Sequence, residues 1–263
     1  MRALHIGATG MLAQQTNVEV ISNNIANMNT TAYSRRRAEF HDLLYQDMRR
    51  VGANSSDSGT IVPSGIQLGL GVKTSSVYRV SEHGSVLNTN NTLDLAIQGN
   101  GYFQIELPND RGTGYTRDGA FQVSPDGVLV TSDGYTVQPG ITIPENATGI
   151  TINSSGEIWV KEDGQTDLTN VGQLEIANFL NESGLEAIGD NLFVETPASG
   201  NPTTDVPGAL GFGKILQGHL ENSNVNVVSE ITDLVSAQRA YEMNSKVITT
   251  ADQMLSTINQ LKS

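Results

Sequence analysis

Four histidines, His5, His41, His83 and His219, are the side chains most able to ligate a metal or move a proton near neutral pH. No two stand at a spacing that would bring both rings to one ion, so the pattern argues against zinc. The chain has no cysteine, which excludes disulfides and thiolate ligands. Carboxylates are plentiful, but many belong to Asp-Gly pairs, where the side chain serves turn geometry. Nothing in the spacing points to a paired general acid and base. Neither a Gly-x-Ser-x-Gly elbow nor a phosphate loop is present. Gly99-Asn100-Gly101 lacks the third glycine and the following helix of a dinucleotide fingerprint and reads as a β-turn. Asn146-Ala147-Thr148 is a glycosylation triplet with no secretory signal to give it meaning. No catalytic residue, metal or cofactor is expected. The cluster Arg35-Arg36-Arg37 reads in two ways. It meets acidic surfaces, most naturally those of other copies of this acidic chain. Or it is a solvated stretch after a helix C-terminus, where cations complement the helix dipole.

The chemistry is therefore sparse, and the weight falls on the elements. The chain has 263 residues and a net charge of −13, poorly suited to binding nucleic acid or an anionic membrane by bulk charge. Met1 to Ala8 contains no continuous apolar run, and Gln14, Gln15 and Thr16 follow, so no cleaved signal peptide is expected. No apolar run approaches the ~20 residues of a membrane span. These features predict a cytoplasmic protein, or one exported by a route that reads no cleaved signal.

The two ends differ from the middle. Leu4, Met11, Val18 and Ile25 are spaced by seven, and Leu12, Ile21 and Met28 widen the stripe. Such spacing predicts a helix whose apolar face another helix must cover. Gly7 and Gly10 weaken its first turns. Its other positions are mostly amides and hydroxyls, among them Gln14, Asn17, Ser22, Asn23, Asn24 and Asn27. Uncharged polar groups suit a helix surrounded by helices; an amphipathic helix with an Asn-rich end is the plainer alternative. At the other end Val227, Leu234, Tyr241, Ile248 and Leu255 are again seven apart. Ala240, Val247, Met254 and Leu261 form a second such row, and Ala237, Ala251 and Ile258 a third. No Gly or Pro interrupts 225–261, so one helix of about 55 Å is predicted, too long for a monomer of this size to cover. Asn222, Ser223 and Asn224 offer capping oxygens ahead of it.

Between the ends, short apolar runs alternate with Asx-Gly and Ser-Gly pairs, including Asn100-Gly101, Asp126-Gly127, Ser155-Gly156 and Asp163-Gly164. This rhythm predicts antiparallel hairpins. Residues 31–74 begin basic and become Ser/Gly-rich, which predicts an extended linker or β-hairpin arm. The expected architecture is α+β. Long N- and C-terminal coiled-coil-type helices flank a central all-β domain, with an extended β-hairpin-like arm after the first helix. The expected divisions are a helical domain of residues 1–30 with 223–263, an arm at 31–74 and an outer β-rich domain at 75–222.

At this point the sequence resembles a known family. Ser22 to Tyr33, which contains Asn23, Asn24 and Asn27, is similar to the N-terminal signature of bacterial flagellar rod, hook and hook-associated proteins. Ser223-Asn224-Val225-Asn226-Val227, with Gln238-Arg239-Ala240-Tyr241-Glu242 and Asn244-Ser245-Lys246, resembles their C-terminal signature. Within that axial family, Arg36 to Phe40, Asp42 to Gln46, Pro63 to Gln67, Tyr115 to Gly119 and Gly184 to Gly189 resemble the branch that builds the distal rod. Ala32-Tyr33-Ser34 departs from the Gly-Phe-Lys of many members, and loss of the glycine narrows the backbone there.

The resemblance implies a structural subunit that passes the flagellar type III export apparatus with unfolded ends. It then assembles into a straight, rigid, hollow helical tube that carries torque across the periplasm. The terminal helices would line the export channel, with the β-rich domain outside. It implies contacts with other copies and with the proximal rod, the hook and the L and P ring proteins. The segment Tyr45 to Gln67, with Tyr45, Gln46, Pro63, Ser64 and Gly65, is expected to stiffen the rod. Competing readings are a proximal rod or hook subunit, a secreted β-rich adhesin on a helical oligomerisation stalk, and an enzyme acting on the cell wall.

Overall fold

Heptad-spaced apolar side chains need a long surface to cover them, and at both ends of this chain they fold as helices. The computed structural model describes residues 2–49, 64–108, 112–164 and 167–262. The chain forms two units. One comprises Met1–Ala26, Arg36–Arg79 and Asn226–Ser263; the other comprises Asn27–Arg35 and Val80–Val225. N- and C-terminal helices thus flank a β-rich central region, an α+β arrangement.

In the first unit, α1 (Arg2–Ala26) and α2 (Val227–Lys262) run antiparallel. Gly7 lies beside Ile248 and Asn244, whereas Asn24 reaches Glu230. On α2 the seam is marked by Val227, Glu230, Leu234, Ala237, Ala240, Asn244, Ile248, Ala251 and Leu255, each at least half-buried and three or four residues from the next. Leu4, Met11, Val18 and Ile25 are half-buried on α1. Gly7 and Gly10 have a packing role that the sequence concealed. A Cβ on Gly7 would stand 2.8 Å from Ile248 Cγ1, and one on Gly10 2.8 Å from the Asn244 amide. The missing side chains admit α2, which offsets the propensity cost of glycine. Only part of the apolar surface awaits a partner: α1 covers one row of α2 within the chain.

This unit also contains β1 (Arg36–Asp42), β2 (Tyr45–Arg49), β3 (Ile66–Gly69) and β4 (Val72–Arg79). β1 pairs antiparallel with β4 from Arg36↔Arg79 to Asp42↔Val72, with a bulge between Glu39 and Phe40. β2 pairs with β3 from Tyr45↔Gly69 to Arg49↔Ile66. Leu43 N–H donates to Gly71 O at 2.8 Å and Leu70 N–H to Leu44 O at 3.2 Å, which joins the two ladders. Thr9 Oγ1 accepts from Val72 N–H at 3.4 Å and ties β4 to α1.

Among the described residues the second unit carries fifteen short strands. They are β5 (Val86–Asn88), β6 (Leu95–Gln98), β7 (Tyr102–Glu106), β8 (Thr113–Thr116), β9 (Gln122–Val123), β10 (Leu129–Val130), β11 (Ala147–Ile152) and β12 (Glu157–Glu162), then β13 (Leu168–Gln173), β14 (Ile176–Asn178), β15 (Glu186–Gly189), β16 (Leu192–Val194), β17 (Thr203–Asp205), β18 (Lys214–Gln217) and β19 (His219–Glu221). Six form a sheet in the order β15-β16-β8-β7-β14-β17, and β11-β12-β13 form a meander. Two of the predicted turn signals close hairpins by one device. Gly127 N–H donates to Ser124 O, and Gly156 N–H to Asn153 O, with φ of 80° and 79° at the glycines, a turn closed by a left-handed residue. Asp163-Gly164 likewise lies between β12 and β13, whereas Asn100-Gly101 links β6 to β7, which pair with other strands. The main core gathers Leu95, Ile97, Phe103, Phe121, Ile158, Val160, Leu174, Ile176 and Ile215. Phe103 and Phe121 meet edge to face at 5.0 Å between ring centroids.

Candidate assembly surface

The signature asparagines hold the chain where it passes between elements. Asn24 is buried in the first unit. Its Oδ1 accepts from Arg36 N–H at 2.8 Å, and its Nδ2 donates to Arg36 O at 2.9 Å and to Glu230 Oε2 at 3.1 Å. The amide thus pairs with a backbone as a neighbouring strand would, fixing the start of β1 to α1 and engaging α2. Asn224 does the equivalent in the second unit. Its Oδ1 accepts from Arg35 N–H at 2.7 Å, while Nδ2 donates to Val80 O at 3.2 Å and Glu82 O at 2.7 Å. A primary amide supplies two donors beside an acceptor, whereas a carboxylate only accepts and a hydroxyl donates once. Asn226 caps α2, its Oδ1 accepting from Val228 N–H at 3.1 Å and Ser229 N–H at 3.3 Å. Asn27 accepts from Thr30 through its side chain and its backbone, and Asn23 is exposed on α1.

Arg239 and Tyr241 are exposed on α2. Gly10 lies against the Asn244 amide on that part of the seam, and Ala13 and Ala237 are buried. Leu4, Met11, Val18, Ile25, Val227, Leu234, Ile248 and Leu255 are half-buried. Of the second seven-spaced row, Val247, Met254 and Leu261 are exposed, whereas Ala240 is half-buried. Of the proposed arm residues, Tyr45 and Gln46 are exposed on β2, Ser64 is exposed and Gly65 is half-buried, whereas Pro63 lies outside the described residues. The Tyr45 ring stacks over Gly69 of β3, and its hydrogen bond with the Asp42 carboxylate raises its hydroxyl pKa above the ordinary value.

Sequence reasoning assigned no structural role to three groups that organise the structure, one of which, Ala32, it noted only as a departure from glycine. Arg117 is buried and pairs through Nε with Glu221 Oε2 at 2.9 Å. It also donates to the carbonyls of Gly101 at 2.9 Å, Gly99 at 3.0 Å and Ile97 at 3.2 Å. A lone arginine beside a turn was the available signal. Ala32 has a φ of 54°, a left-handed conformation, and donates its N–H to Glu221 O at 2.8 Å. Glu230, buried in the helix seam, was the third.

Among the described residues no group of three or more His, Asp and Glu side chains is arranged to hold a metal ion. A groove of about 590 Å³ in the β-rich unit is lined by Phe179, Leu180, Leu210 and Phe212 with several amides, and its single carboxylate is Glu182. No described helix is long and apolar enough to cross a membrane.

Paired helices with an uncovered apolar row, in a chain that also carries a β-rich unit, make an architecture suited to a subunit of an assembly. Residues 4–33 match the family described as flagella basal body rod protein. Residues 96–160 match the flagellar hook protein FlgE/F/G D1 domain, and residues 216–261 the flagellar basal body rod FlgEFG protein C-terminal family. Flagellar basal-body rod protein FlgG of Caulobacter vibrioides is 62% identical over the whole of both chains. The protein of that name in Agrobacterium fabrum is 55% identical over 99% of each chain, and that in Bacillus subtilis 38% over 100% of this chain and 99% of its own. The chain belongs to the flagellar basal-body rod protein family and is a structural subunit of the flagellar rod. The relatives are rod proteins, and none of the matching families is catalytic.

Proposed function

We propose that this chain builds the distal part of the rod as a straight, rigid, hollow helical tube, which transmits torque across the periplasm and surrounds the export channel. The observation that carries this reading is the exposed row Val247, Met254 and Leu261 beside a seam already filled by α1. An uncovered apolar row on a helix marks a surface suited to burial against further helices. The terminal helices of many copies then form the inner wall, and the β-rich units face outward. The chain reaches the growing tip through the flagellar type III export apparatus without a cleaved signal. It contacts the proximal rod, the hook and the L and P rings. Residues Tyr45 to Gln67 act between neighbouring copies to hold the tube straight, with Tyr45, Gln46, Pro63, Ser64 and Gly65 in that role.

The test is assembly of the purified chain, followed by sedimentation and negative-stain imaging as concentration rises. Tubes with an open bore are the expected outcome, and a monomer at every concentration would overturn the proposal. Deletion of residues 45–67 should then give curved tubes. Straight tubes from that deletion would remove the stiffening role while leaving polymerisation intact.

A further inference from the structure

α2 carries two exposed apolar patches that lie on opposite sides of the seam covered by α1. Val228, Ile231 and Val235 form the first, near the start of the helix; Met254, Ile258 and Leu261 form the second, near its end. Their exposures run from 42% at Val235 to 84% at Leu261, so α1 leaves all six uncovered. At 3.6 residues per turn, the first patch projects roughly 110° to one side of the local seam and the second roughly 90° to the other. A single neighbouring helix lying alongside cannot cover both.

The lengths of the helices give a second reason. Gly7 of α1 lies against Ile248, and α1 begins at Arg2, five residues earlier. α2 therefore outruns α1 by roughly two and a half turns, about 14 Å at 1.5 Å per residue, and Ile258 and Leu261 lie on that overhang.

We infer that the overhanging end of α2 in one copy docks through Met254, Ile258 and Leu261 onto Val228, Ile231 and Val235 of α2 in a second copy. This rests on the polymer reading above and names the contact that propagates it. The contact is heterologous: each copy offers one patch and receives the other. Repeated, it makes an open helical array instead of a closed pair. Ile231 and Ile258 are separated by 27 positions of one helix, so successive copies joined in this way are offset by about 40 Å along the helix axis.

The absence of native cysteine allows a direct test. Full-length chains carrying Val235→Cys, Ile258→Cys or both are assembled and then oxidised. Both positions are exposed, and within one chain they are about 35 Å apart, far beyond disulfide reach. The mixture of single variants should give disulfide dimers at about tenfold the yield of either variant alone, and the double variant should give a ladder of oligomers. Like-with-like dimers from either single variant at equal yield would overturn the lap, because they report a symmetric contact. Tubes without cross-links would overturn the lap but leave polymerisation standing. Neither tubes nor cross-links would overturn both.

Discussion

Ala32 shows how much a single backbone angle can require. Its φ of 54° lies in the left-handed region, where an L side chain costs roughly 1–2 kcal/mol and a β-branched one more. Ala32→Val should therefore lower unfolding stability by about 2 kcal/mol or more, whereas Ala32→Gly should stay within about 1 kcal/mol of the parent. Urea titrations of the three chains decide it, and equal midpoints for Val and Ala would contradict the strained conformation. The departure from glycine was legible in the sequence; the angle that makes it costly was not. Asp118 gives a prediction in pH. Burial raises its carboxyl pKa above the ordinary range, nearby Asp94 and Asp133 add to this, and hydrogen bonds from Ala120 N–H and Asn191 Nδ2 oppose it. The folded state thus holds this proton more tightly than the unfolded state. The stability it contributes is present below about pH 4, the unfolded carboxylate range, and is lost as pH rises through the folded value. Asp118→Asn should gain on the parent between acidic and neutral pH. A constant difference between the two chains across that range would sink the assignment.

Among the elements, the helix pair depends on two residues that intrinsic propensity scores against. Gly7 and Gly10 cost α1 roughly 1 kcal/mol each relative to alanine, yet they let α2 approach to contact. Gly7→Leu should improve the isolated helix but force α2 away near Ile248, at a net cost of about 1–3 kcal/mol from overpacking. Faster proteolysis of both ends with an unchanged β-rich fragment is the expected result; unchanged resistance would mean that the seam is loose there. Helix existence and the heptad row were readable because periodicity is local. The direction of pairing, the exclusion of Tyr241 and the sheet order β15-β16-β8-β7-β14-β17 were not, because they depend on partners far apart in sequence.

For the whole molecule, charge is distributed unevenly. The unit of Asn27–Arg35 and Val80–Val225 has five Lys and Arg against nineteen Asp and Glu, a net −14, while the helical unit has ten against nine, a net +1. Copies brought side by side repel through their β-rich units, and salt shortens that repulsion from a Debye length of about 30 Å at 0.01 M to about 8 Å at 0.15 M. Assembly should therefore need a lower protein concentration at 0.15 M than at about 0.01 M salt. A higher requirement in salt would mean that attraction between charges, not apolar burial, drives the contact. The sequence by itself determined the helical ends, the turn-rich middle, the acidity and the family, because each is written in neighbouring residues or in composition. Only the tertiary structure decided that α1 fills one row of α2 and leaves others bare, and that Asn24 and Asn224 act as backbone partners. A side chain's neighbours are set by packing between segments that the chain order keeps far apart.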